Sequence, residues 1–85
     1  MMFVAEVRSV KLDEAVTLGK QGEWVEVQVR GNPSGLQQWF VMLRSRDNKA
    51  YILADNDDEA IAMADLNALT QLIQRVGASE FTVFI

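Results

Sequence analysis

The chain has 85 residues, 49% of them hydrophobic, which is enough for one modest core and too many for a disordered segment. It has no cysteine and no histidine, which excludes disulfides, a thiol nucleophile, a thiolate zinc site and every catalytic triad built on histidine. The net charge of −4 is uneven: residues 1–54 carry seven basic and six acidic side chains, whereas residues 55–85 carry one basic side chain, Arg75, against six acidic ones.

This imbalance disfavours general nucleic-acid binding and favours a basic protein partner for one surface, beside its plain contribution to solubility. The length points to a single domain over residues 1–85. The opening Met1-Met2-Phe3-Val4-Ala5-Glu6-Val7-Arg8 has no basic leader, and no segment approaches the roughly 20 apolar residues of a membrane span. The expected compartment is the cytoplasm.

Residues 2–12 read as a strand. Phe3, Ala5 and Val7 share one face, but Val10 and Leu12 have the opposite parity, which suggests a bulge or bend near Ser9. Residues 13–22 form a connection with Gly19 and Gly22, in which 14–18 has the makings of a short helical turn. Residues 23–30 give the clearest strand, with Val25, Val27 and Val29 on one face and Trp24, Glu26, Gln28 and Arg30 on the other. Gly31-Asn32-Pro33-Ser34-Gly35 is a loop. Residues 37–46 follow as a strand that is apolar on both faces near its middle, through Trp39, Val41 and Leu43 and through Phe40 and Met42. It should be central, or covered on both sides. Asp47-Asn48-Lys49 turns the chain into a fourth strand at residues 50–54.

The next segment has two readings. In the favoured one, Asn56 or Asp55 caps a helix running over 57–76, because Asn56-x-x-Glu59 resembles a capping box and the alanines of 60–64 favour helix. In the other, Asp57-Asp58 turns a hairpin, 59–63 is a short strand, and Asp65 caps a shorter helix over 66–76. Both share an apolar stripe of Leu66, Leu69, Ile73 and Val76 with Leu72 beside it, a C′ glycine at Gly77, and a last strand through Phe81, Val83 and Ile85. The expected fold is α+β: an antiparallel four- to five-stranded sheet with one C-terminal helix packed on a face, in the order β-β-β-β-α-β.

No constellation of residues signals catalysis. Read as an EF-hand from Asp55, the acidic run puts Ala60 and Leu66 where glycine and glutamate are required. Glu23 with Glu26, and Asp13 with Glu14, are carboxylate pairs whose simplest role is a solvated face. The loop at 31–35 lacks the lysine of a P-loop. No cofactor, metal or catalytic residue is expected, and the chain reads as a non-enzymatic protein-interaction module. Its expected partner-binding residues are Asp55, Asp57, Asp58 and Glu59 with Trp24, serving an accessory or inhibitory role on a basic partner or a homodimer. The alternative is a nucleic-acid-binding module built on Arg44, Arg46 and Lys49 with Trp39 upstream, although charge protecting a strand edge explains those residues as well.

Overall fold

The computed structural model describes residues 7–31 and 38–84, arranged as β1 (Val7–Lys11), α1 (Leu12–Lys20), β2 (Trp24–Gly31), β3 (Trp39–Ser45), β4 (Ala50–Ala54), β5 (Ala62–Met63), α2 (Leu66–Arg75) and β6 (Thr82–Phe84). Residues 2–6 of the expected first strand, the loop at 32–35, Gln37 and Ile85 fall outside the described residues.

The strands form one sheet in the order β1-β4-β3-β2-β6, with β5 also paired to β3. It is mixed rather than purely antiparallel. β2 and β3 are antiparallel, as are β3 and β4, but β1 pairs parallel with β4 and β6 pairs parallel with β2. The reason is that the described residues form two helices, not one. Each returns the chain along the sheet, α1 from β1 to β2 and α2 from β5 to β6, so the next strand sets off in the same direction as the last. Both crossovers move the same way across the sheet, and with a common hand this places both helices on one face.

Among its described residues, Val7–Lys11, the first strand contains no bulge near Ser9. β1 pairs with β4 in unbroken register from Val7 with Ala50 to Lys11 with Ala54. Leu12 has the wrong parity for the strand because it is already the first residue of α1, where it packs on the core. The irregularity sits in β2 instead, between Trp24 and Glu26. It turns Val25 out to solvent at 55% exposure, so Val25 does not share the buried face of Val27 and Val29. Trp24 takes the inward position, and its indole Nε1 donates to the Ala15 carbonyl at 2.9 Å.

The favoured long helix over 57–76 does not form; the chain follows the hairpin reading, with the strand expected over 59–63 reduced to Ala62–Met63 and the helix ending at Arg75. Ile52 pairs with Met42 and Ala62 with Phe40, so two steps along β3 answer to ten along its partner. The intervening residues leave the lane of β4, turn tightly, bridge back from Ala60 to Ala54 and re-enter the lane as β5. Asp65 then caps α2, accepting from the Asn67 amide at 2.9 Å. Leu69, Leu72, Ile73 and Val76 are buried as their spacing requires, whereas Leu66 at the first turn is 41% exposed. Gly77, with φ +92°, ends the helix.

The core lies between the helices and one sheet face. It joins Val10, Val27, Val29, Val41, Leu43 and Leu53 from the strands to Ala15, Leu69, Leu72, Ile73 and Val76. Each of the fully buried Leu, Ile and Val side chains contributes roughly 2 kcal/mol relative to exposure. On the opposite face lie Val7, Phe40, Met42, Arg44, Ala50, Ile52, Glu26, Gln28, Arg30 and Phe84, a set fixed by the register. β3 is the central strand, as its two apolar faces require, but no described helix covers this second face.

Candidate functional site

The acidic turn is built by its own side chains. The Asp55 amide donates to the Glu59 carbonyl at 2.8 Å, and the Asp58 amide to the Asp55 carbonyl at 3.0 Å. Asp55 Oδ1 accepts from the amides of Asp57 at 2.9 Å and Glu59 at 3.0 Å. Asp58 takes the left-handed conformation with φ +65°, which aspartate tolerates better than most residues. A short aspartate-rich run therefore forms a turn even where alanines follow, because carboxylates compete for local amides that a helix would use.

Ser9 fixes the turn to the rest of the molecule. Its hydroxyl donates to Asp58 Oδ1 at 2.7 Å across 49 residues of sequence. Ser9 pairs with Ile52, whose neighbour on β3 is Met42, so its side chain belongs to the uncovered face. The turn accordingly stands over the β1 and β4 end of that face, and Ala54 beneath it is fully buried. Asp57, Asp58 and Glu59 remain exposed. Nothing in the sequence signals Ser9, because a lone serine in a strand looks like any other solvated residue.

Trp24 is not beside the acidic turn. It pairs with Ser45 at one end of β3, whereas the turn leaves its lane beside Phe40 at the other. Its half-buried ring packs on the core and meets Tyr51 edge-on, with centroids 5.6 Å apart.

The basic hairpin is held by acidic neighbours. Arg44 reaches Glu26 at 3.5 Å and donates to Asn48 Oδ1 at 3.0 Å, while Lys49 lies 3.4 Å from Asp47. The buried Ser45 hydroxyl donates to the Asp47 carboxylate and accepts from the Lys49 amide. This hydrogen bond, aided by Lys49, holds the Asp47 carboxyl below its ordinary value of 3.8. Arg46 is exposed, and its amide donates to the Glu23 carbonyl. Trp39 pairs with Gly31 and packs on the core, on the face opposite Arg44. The four residues of the nucleic-acid alternative are thus divided between two faces.

The uncovered face carries a polar ladder along β2. Gln28 donates to Glu26 at 2.7 Å and accepts twice from Arg30, at 3.1 and 2.8 Å. The Arg30 guanidinium stacks over Phe84, 5.0 Å from the ring centroid. Beside the ladder lies a shallow cavity of ≈ 240 Å³, floored by Val7, Met42 and Ala50. The alternation of the sequence places Glu26, Gln28 and Arg30 on one strand face, but nothing in it signals Phe84, and the common surface with Val7, Met42 and Ala50 exists only once β1, β4, β3, β2 and β6 are ordered side by side.

Among the described residues no group of three or more carboxylates is arranged to hold a metal ion, and no helix is long and apolar enough to cross a membrane. No known protein family matches the chain, and no curated protein shows significant similarity to it.

Proposed function

We propose that the chain is a small non-enzymatic protein-interaction module of the cytoplasm, which docks its acidic turn, Asp55, Asp57, Asp58 and Glu59, on a basic surface of a protein partner in an accessory or inhibitory role. The observation that carries this reading is the inward use of Asp55 and the clamp from Ser9 to Asp58. The turn is ordered before it meets anything, so its carboxylates dock without the entropic cost of first fixing a loop. Charge on such a surface chiefly speeds encounter and selects partners. Trp24, tied to α1 through Ala15, serves the fold in this reading. The Arg44, Arg46 and Lys49 hairpin supports nucleic-acid binding less well, since Arg44 and Lys49 already face carboxylates.

The test is affinity capture from native lysate with the wild-type chain and with the charge-reversed variant Asp57→Lys/Glu59→Lys. Neither side chain makes the hydrogen bonds that shape the turn; their backbone amides do. A partner that wild type retains, moderate salt releases and the variant fails to capture is the expected result. Identical protein sets on both baits count against the reading.

A further inference from the structure

We infer that the basic surface met by the acidic turn lies on a second copy of this chain, and that two copies pack through their uncovered sheet faces about a twofold axis running along β3. The inference rests on the reading of the turn as a docking element and names its partner.

The uncovered face is too apolar to be a purely solvated one. Phe40, Met42 and Ile52 are only partly exposed along its centre, while Val7 and Phe84 at its two margins are 49% and 43% exposed. Five lanes spaced about 4.8 Å apart, with strands of about 20 Å, present a flat projection of roughly 500 Å². Side-chain relief raises that toward the roughly 800 Å² each partner buries in a standard interface. Two such faces pack about 10 Å apart with their strands nearly aligned.

Charge chooses the occupant and the axis. Strands β1, β4, β2 and β6 all run one way, so Lys11, Ala54, Gly31 and Phe84 lie toward the same end of the sheet. At that end the acidic turn stands over the β1 and β4 lanes, and Arg30 with Phe84 lies on the β2 and β6 lanes. A twofold axis along the central β3 lane exchanges these lanes. It sets the acidic turn of each copy against the Arg30–Phe84 corner of the other, and it brings Met42 onto its own counterpart. Arg30 is prepared for this contact, since Gln28 and Phe84 hold its guanidinium in place. An axis across the strands would instead set the acidic turn against the Val7 end, leaving the Arg30 corner out of its reach. A self-complementary patch of this kind closes into a dimer without exposing a further docking site.

Light scattering on the full chain tests the inference, with circular dichroism confirming the fold of each variant. Wild type is expected at twice the chain mass. Arg30→Glu, and separately Asp57→Lys/Glu59→Lys, should each weaken the dimer by roughly tenfold or more, and the three changes combined should restore most of that loss. Ile52→Lys should give a folded monomer. A wild-type monomer at the highest soluble concentration overturns the inference. So does a dimer indifferent to all these variants, or a combined variant as weak as the product of its parts. If wild type is monomeric yet Asp57→Lys/Glu59→Lys still loses a captured partner, the docking turn stands and the second copy falls. If the dimer behaves as expected and capture is unaffected, the turn serves self-association alone.

Discussion

At the scale of single residues, three positions decide local geometry. Asp65 supplies the side-chain cap of α2, and such caps contribute about 1 kcal/mol, so Asp65→Ala should lower stability by about that amount in urea unfolding. Gly19 behaves against its usual preference. Glycine within a helix normally costs about 0.5–1 kcal/mol relative to alanine. A Cβ at Gly19, however, would lie 1.8 Å from the Val76 carbonyl oxygen, where α1 passes the end of α2. Gly19→Ala should therefore destabilise the fold by about 1–3 kcal/mol through overpacking. A raised thermal midpoint would contradict the close approach of the two helices. Asp47 gives a pH dependence of definite sign. Its folded value is depressed by Ser45 and then Lys49, so its contribution to stability is present above its ordinary value of 3.8 and is lost as pH falls through the lower folded value. Carboxyl NMR titration of wild type and Ser45→Ala checks this, with Asp47 expected to move up toward 3.8 in the variant.

At the scale of elements, the segment between β4 and α2 is the instructive one. Both the capping-box spacing and the alanines after it speak for helix, yet the chain turns. The deciding interactions are short-range and chemical: Asp55 binds two amides two and four residues on, and Asp58 accepts a left-handed backbone. Helix propensity offers only tenths of a kcal/mol per residue against them. Asp55→Ala should consequently free the amides of Asp57 and Glu59 to exchange faster with solvent, while Asp55→Asn, which keeps an acceptor, should retain most of their protection. Unchanged exchange in Asp55→Ala would show that the turn does not depend on its side chain. The strands β2, β3 and β4, the stripe of Leu69, Leu72, Ile73 and Val76, and Gly77 were legible, because each rests on spacing within a few residues; the Asp65 cap belonged only to the less favoured reading, and Leu66 of the expected stripe is exposed. The full length of α1 was not legible, since Lys11 offers no side-chain cap to mark its start. The bulge at Trp24 and Glu26 was equally hidden, because strict alternation of valines gives no sign of an extra residue.

At the scale of the whole molecule, what escaped the sequence is long-range. The parallel pairings join residues 43 positions apart in β1 with β4 (Val7 with Ala50) and 54 apart in β2 with β6 (Gln28 with Thr82), and the contact of Ser9 with Asp58 spans 49. These pairings determine which side chains share a face, so they determine the candidate site. They leave one face of the sheet packed under two helices and the other bearing Met42, Ile52, a charged ladder and the acidic turn above one end. The proposed docking uses that second face, while the helices serve the core. The most direct measurement is a dilution series followed by amide chemical shifts in the full wild-type chain. Concentration-dependent shifts are expected at Asp57, Glu59, Arg30, Met42, Ile52 and Phe84, with the exposed residues of α1 and α2 unmoved. Shifts confined to the helices, or none at all at concentrations where the chain remains soluble, would contradict that docking.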